Sequence, residues 1–397
     1  MTHPPESAAA PRLAARTGHI APFEVMELIG RAARLREAGK PVIQLDIGEP
    51  DFPPPPAVMD ALARISRGGG IRYTPAVGTR ALREAISADY AQRHGLEISA
   101  DRIIITAGAS AALLLACAAL VDPGSRVLLT DPSYPCNRHF VAAFDGIADA
   151  LPAGAESRYQ MTAEMVRANW REETRGVLIA SPANPTGTSI SKAELGRIVE
   201  EVRARRGFTI VDEIYLGISF DPAAQSALAL GEDLIIVNSF SKYFAMTGWR
   251  LGWLVVPPRL VPVFEKLAQN LFICASAVAQ QAALACFEPE TIVLCETRRE
   301  DLRQRRDLII PRLEQAGLAV PVVPDGAFYI YADCSPLGMS SGVLARRLLE
   351  EAFVSLVPGK DFGHYRQEDH LRISYASSVE QIMEATERIA RFTRTQC

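Results

Sequence analysis

From residue 42 onward, short β-branched runs alternate with longer stretches of helical periodicity. The runs are Val42 to Ile47, Ile103 to Thr106, Val127 to Thr130, Val177 to Ala180, Phe208 to Val211, Leu234 to Val237 and Leu251 to Val256. Several of them (VLIA, FTIV, LIIV) are apolar throughout rather than alternating, as strands buried on both faces are. With helices between successive strands, they predict an α/β fold: a seven-stranded, mostly parallel sheet in a large domain. After Val256 the pattern lengthens into helices, beginning near Pro257 and running through Arg298 to Arg312. From Ala316 onward, strand-like Ala327 to Tyr331, an amphipathic helix near Val343 to Ala352 and a strand at Leu371 to Tyr375 predict a second, smaller α+β domain.

The most apolar stretch, Ala111 to Val121, is too short to span a bilayer and stops at Asp122-Pro123-Gly124, so it predicts a buried helix and no membrane span. The first eighteen residues are rich in Ala, Pro and Ser and lack the apolar stretch of a signal peptide, which predicts a mobile arm.

At 397 residues, 48% apolar and 22% charged, the chain has material for two domains with a large core. A net charge of −4 with mixed signs leaves no electrostatic footprint for nucleic acid. The cluster Arg203-Ala204-Arg205-Arg206 reads as a solvated helix end. Seven scattered cysteines without a C-x-x-C pair suit a reducing cytoplasm, and six histidines without H-E-x-x-H predict no metal site.

Polar groups fall just past three of the apolar runs. Asn184 follows VLIA, Asp212 follows FTIV and Lys242 follows LIIV, at spacings that suit successive βα units with one crevice at their carboxyl ends. Taken singly each has an ordinary explanation: an exposed loop lysine, a helix N-cap for Asp212, an Asn-Pro turn for Asn184. Lys242, however, has Ser239 and Ser241 before it and Arg250 after it, all donors suited to phosphate oxygens. Thr106-Ala107-Gly108-Ala109-Ser110 passes from a strand into a helix start, which offers free N–H groups to an anion. Tyr134 follows another strand, and Arg372 sits inside an apolar strand, where an arginine needs an anionic partner, either structural or a ligand.

The fifteen residues Ser239 to Trp253 resemble the lysine signature of the class I and II aminotransferases, a fold-type I pyridoxal phosphate family. The resemblance extends over residues 20 to 392 and implies the following expectations. Lys242 carries pyridoxal 5′-phosphate as a Schiff base, and Asp212 holds the pyridine nitrogen protonated. Asn184 and Tyr215 donate to the phenolic oxygen, and Tyr134 stacks on the ring. Gly108, Ala109, Ser110, Ser239, Ser241 and Arg250 hold the phosphate. Tyr73, in a Tyr-Thr-Pro motif, reaches the phosphate of a partner subunit, which implies a homodimer with shared sites. Arg372 takes the substrate α-carboxylate, with the Gly48 N–H nearby.

The family places residues 1–49 with a small domain completed by 286–397, around a large domain of residues 50–285. The implied reaction is ping-pong transamination between an L-amino acid and a 2-oxo acid, with Lys242 as nucleophile and then base. A carbon–sulfur β-lyase of the same fold shares most of these motifs. A non-catalytic regulator is more remote, because no DNA-binding segment precedes the fold. The mostly apolar or small stretch Asn270 to Ser276 inclines the donor toward an apolar or aromatic amino acid.

Overall fold

The computed structural model describes residues 12–22, 24–69 and 71–395. Of the expected N-terminal arm, residues 1–11 lie outside the described residues. Ala15–His19 forms one 3-10 turn, where Arg16 pairs with Asp145 at 3.1 Å.

Among the described residues twelve strands form three sheets. In chain order they are β1 (Ile43–Gln44), β2 (Ile103–Thr106), β3 (Arg126–Asp131), β4 (Ile147–Pro152), β5 (Thr174–Ala180), β6 (Phe208–Asp212), β7 (Ile235–Ser239), β8 (Gly252–Val255), β9 (Tyr329–Asp333), β10 (Val354–Ser355), β11 (Val357–Pro358) and β12 (His370–Ser374). The large sheet runs β2-β8-β7-β6-β5-β3-β4, and only β8 is antiparallel to its neighbours. The apolar strands predicted for it are buried along their length: Ile103, Ile104, Leu128, Val177, Ile210, Ile236 and Leu254 are all 2% exposed or less. Each such side chain contributes about 1.5–3 kcal/mol on leaving water.

The sheet has seven strands, as the pattern predicts, but one member differs. Val42 to Ile47 is not in it: β1 pairs in parallel with β10, and the Leu45 carbonyl accepts the Ser374 N–H at 2.7 Å, so this segment joins the smaller sheets. The seventh strand is β4, an edge strand whose sequence IADALP is mostly solvent-accessible. An edge strand with one wet face lacks the continuous apolar run that marked the others.

The Gly108–Leu120 helix is buried almost throughout, which accounts for the apolar stretch at residues 111–121. Among the described residues no helix is long and apolar enough to cross a membrane. The C-terminal region folds as the three-stranded antiparallel sheet β11-β12-β9, against which the Ser341–Arg347 helix packs, while the Val379–Arg394 helix packs on the long Pro289–Gln315 helix. The expected helix at 343–352 is Ser341–Arg347 continued by a π-turn, Leu348–Ala352.

Candidate active site

The carboxyl ends of the parallel strands open into a cavity of about 640 Å³ closed on its far side by the small sheet and by the Glu24–Glu37 helix. Eleven of the fourteen sequence-predicted site residues line it: Gly48, Ala109, Ser110, Tyr134, Asn184, Asp212, Tyr215, Ser241, Lys242, Arg250 and Arg372. The three that do not are Gly108, Ser239 and Tyr73.

Lys242 leaves the end of β7 and donates from Nζ to the Gly48 carbonyl at 2.5 Å. It thus meets the Gly48 C=O, while the Gly48 N–H is the group expected beside Arg372 for the substrate carboxylate. Burial brings its ammonium down to about 8; Glu49 and Asp212 pull it upward, while Arg372 and Arg250 push it further down. A desolvated lysine that releases its proton near neutral pH is a working nucleophile and base. Asp212, at the end of β6, is pushed up to about 6 by burial, against the Ile214 N–H that its Oδ1 accepts at 3.0 Å and the charge of Lys242.

Gly108 shows why the turn between β2 and its helix is built from small residues. Its φ is +83°, and a Cβ there would come within 2.6 Å of Arg250 Nη2. A side chain at this position would push the guanidinium off the start of the helix. Arg250 is itself held in the left-handed region, at φ +50°, with Nη1 donating to the Thr247 carbonyl at 2.9 Å. A non-glycine residue kept there against its preference marks a position fixed by its surroundings. Ser239 stands behind Ser241: its Oγ is 2.9 Å from Ser241 Oγ and 2.9 Å from the Leu251 carbonyl, and it accepts the Ser241 N–H at 3.0 Å. It braces the loop, and Ser241 faces the cavity.

At the other end, Arg372 is buried in β12. Its Nη1 donates to Asn184 Oδ1 at 3.1 Å and its Nη2 to the Asp46 carbonyl at 2.6 Å, while its Nε is buried with no partner. The guanidinium lies over the rings of Tyr329 and Phe362, 4.7 and 5.1 Å from their centroids. A buried cation with an unused donor is a ready anion subsite. Asn184 therefore spends its oxygen on Arg372, which leaves its amide N–H groups for the cavity.

Tyr215 hydrogen-bonds Tyr329, hydroxyl to hydroxyl, at 2.9 Å. Tyr134, on the loop after β3, has its phenol pushed up by burial and touches the Cys136 thiol. Tyr73 is 83% exposed and outside this chain's cavity.

Sequence reasoning missed Tyr329, Phe362 and Asp46, all of which line the cavity. The signal for the two aromatics lay in Arg372 itself: a cation inside an apolar strand needs ring faces or anions around it. Asp46 is buried in the stretch before Gly48, where its Oδ2 accepts the Ser355 hydroxyl at 2.5 Å.

Residues 40–389 match the family described as Aminotransferase class I and II. The chain belongs to that family. It is 37% identical over 387 residues to the valine–pyruvate aminotransferase of Mycobacterium tuberculosis, covering 97% of this chain and 99% of that one. It is 36% identical to the (5-formylfuran-3-yl)methyl phosphate transaminase of Methanocaldococcus jannaschii, over 93% of this chain and 96% of that one. A crystal structure of an aminotransferase from Mycobacterium tuberculosis superposes with a TM-score of 0.93 at 37% identity, covering 97% of this chain and all of that one. The chain is thus a transaminase of the fold-type I class, as the motifs implied. The family works with pyridoxal phosphate, acts on amino acids and 2-oxo acids, and is typically dimeric.

Proposed function

We propose that this transaminase binds pyridoxal 5′-phosphate on Lys242 and moves the amino group of a neutral, apolar L-amino acid to a 2-oxo acid. One observation carries the reading: a buried lysine that releases its proton near pH 8 shares one cavity with Asp212 on one side and the under-used Arg372 on the other. The residues present fit the cofactor. Arg250, Ser241 and the start of the thirteen-residue Gly108–Leu120 helix form a phosphate cradle that a Cβ at Gly108 would fill. Asp212 suits a protonated ring nitrogen, Tyr215 and the Asn184 amide suit the ring oxygen, and Tyr134 suits the ring face.

When bound, the cofactor supplies an electron sink for breaking the substrate's Cα–H bond. Arg372 takes the α-carboxylate and fixes the Cα–H toward Lys242. Lys242 would act as the base that takes the Cα proton, which requires the neutral amine that its low pKa provides. The Gly48 carbonyl, which now accepts from Lys242 Nζ, holds that amine near the substrate end of the cavity.

Among the described residues, the cations lining the cavity are Lys242, Arg250 and Arg372. Each has a role already, so within this chain's described lining a second substrate carboxylate would find no further cation and would face Asp46, Glu49 and Asp361. Val25, Met26 and Ile29 of the Glu24–Glu37 helix, with Leu113 and Val357, give the cavity an apolar wall. Two copies would share sites, with the exposed Tyr73 of each reaching the phosphate subsite of the other and the exposed Leu271, Phe272 and Ile273 covered between them. The lobes would divide as residues 50–285 against 1–49 with 286–397. The free thiols of the described cysteines suit the cytoplasm.

The test is an absorbance spectrum of the purified protein, repeated after adding amino acids singly and without any oxo acid. A band near about 360 or 420 nm that moves to about 330 nm with valine, leucine or alanine, with release of the matching 2-oxo acid and no ammonia, supports the reading. A conversion rate with aspartate at least as high would overturn the donor class, and elimination products would replace transamination with the lyase reaction.

A further inference from the structure

The two halves of the cavity meet on one side chain that none of the sequence motifs assigned. Tyr329, the first residue of β9, is fully buried, and it touches groups from three separate parts of the chain. Its hydroxyl is 2.9 Å from that of Tyr215, beyond the end of β6 in the large sheet. Its ring faces Arg372 on β12, 4.7 Å from centroid to guanidinium carbon. A Cβ built on Gly48, whose carbonyl takes the Lys242 amine, would lie 3.1 Å from the same hydroxyl.

Each phenol brings one proton and two lone pairs. Among the described residues, the hydroxyl of Tyr329 has only Tyr215 as a hydrogen-bond partner, and the reverse holds too. The direction of that bond follows from the neighbourhood. Arg372 eases ionisation of both phenols but stands directly over the Tyr329 ring, and burial raises Tyr215 more strongly, so Tyr329 is the stronger acid of the two. Tyr329 therefore donates, Tyr215 accepts, and the proton of Tyr215 is left to turn into the cavity. A hydroxyl that accepts one hydrogen bond also becomes a better donor in the next.

We propose that Tyr329 is a positioning residue acting through two neighbours at once. Its hydroxyl aims and strengthens Tyr215 as donor to the cofactor's ring oxygen, and its ring is the platform that fixes Arg372 for the substrate carboxylate. This rests on the cofactor reading above and adds a link between the two subsites: the same side chain sets the basicity of the lysine–cofactor linkage and the grip on the carboxylate.

Two substitutions in the full-length, pyridoxal phosphate-loaded protein separate the two actions. Tyr329→Phe removes the hydroxyl and keeps the ring. A weaker donor on the ring oxygen leaves the linkage proton harder to remove, so the pH midpoint of the visible absorbance should rise by about 0.5–1 unit while KM for the amino acid stays within about twofold. Tyr329→Leu removes both: it should show the same shift and also raise KM about 5- to 20-fold, with kcat falling less. Tyr331→Phe, a buried phenol two residues along the same strand and outside the cavity lining, should move neither quantity.

A Tyr329→Phe midpoint within about 0.2 unit of the wild type overturns the hydroxyl role; this small a shift is below what one neutral hydrogen bond supports. An unchanged KM in a folded Tyr329→Leu overturns the platform role. If Tyr329→Leu does not fold, the Phe variant still decides the first half. A wild type with no visible band fails the cofactor reading and this inference with it, whereas a wild type that titrates normally confines any failure to Tyr329.

Discussion

The large-sheet wall of the cavity and the small-sheet wall are built on different principles. On the large-sheet side, Lys242, Asp212, Asn184, Tyr134 and the Gly108–Leu120 helix follow β7, β6, β5, β3 and β2 in turn, each at or just past a strand's carboxyl end. That is a property of open α/β topology, which gathers strand ends along one crevice. On the small-sheet side the groups sit within strands or on turns: Arg372 in mid-β12, Tyr329 on β9, Phe362 on the turn after β11, Asp46 and Gly48 beyond β1. Here the wall is a sheet face, held by a cation over two rings. On the proposed function, covalent and proton chemistry fall to the first wall and recognition of the substrate carboxylate to the second. Variants on the first should alter the cofactor spectrum, and variants on the second should alter KM, except at the Tyr329 hydroxyl, which reaches across to Tyr215.

The largest effect is expected from Lys242→Ala. Losing nucleophile and base together should cut turnover by about 10⁴-fold or more, with loss of the lysine-linked absorbance band. Residual turnover within tenfold of the wild type would remove Lys242 from the mechanism. Arg372→Leu comes next. It should lower kcat/KM for the amino acid by about 10²- to 10³-fold while the resting spectrum keeps its band, because the charge-assisted carboxylate bonds are lost while Lys242 stays in place. A spectrum that collapses in Arg372→Leu would show that the two walls cannot be separated.

The same contrast explains what the sequence revealed. Lys242, Asp212 and Asn184 were legible because each interrupts an apolar run at a strand end, a local signal spaced as successive βα units are spaced. Six of the seven strands of the large sheet were legible for the same reason. β4 was not, because a mostly accessible edge strand lacks an apolar run and mimics a loop, and Val42 to Ile47 was misplaced, because an apolar run does not say which sheet will bury it. Tyr329 and Phe362 carry no local signal at all: each is one more aromatic in an apolar segment until folding sets it against Arg372. Ser239, read as a phosphate donor, stands behind Ser241, and two residues of spacing in a loop do not tell front from back.

Asp212 tests the large-sheet wall without catalysis. Its folded pKa of about 6 lies above its ordinary 3.8, so the cofactor-free folded protein holds that proton more tightly than the unfolded chain does. The resulting stability is full below about pH 4 and is lost as pH rises through 6, where a bare carboxylate becomes buried. Asp212→Asn should therefore raise the melting temperature of the cofactor-free protein by about 2–4 °C at pH 8 and by almost nothing at pH 4. Adding pyridoxal phosphate should reverse the order, since the cofactor restores a cation to the wild-type carboxylate. Equal melting temperatures at pH 8 without cofactor would mean that the carboxylate is solvated there.

The smallest effect is expected where the walls are clasped together. Asp131, the last residue of β3, accepts through Oδ2 the N–H groups of His364 at 2.8 Å and Tyr365 at 3.1 Å, and the Ser133 N–H reaches the Phe362 carbonyl at 2.8 Å. The turn comes so close that a Cβ on Gly363 would fall 1.7 Å from Asp131 Oδ1. One carboxylate of the large sheet thus holds the turn whose Phe362 ring backs Arg372. Asp131→Ala removes two charge-assisted bonds and lets that turn relax, at a distance from Lys242 and the phosphate cradle. KM for the amino acid should rise about five- to tenfold, the pH midpoint of the cofactor absorbance should stay put, and Asp131→Asn, which keeps an accepting oxygen, should fall between. A variant that shifts the midpoint and spares KM would place the clasp on the chemical wall, and the division of labour between the two sheets would fail at this contact.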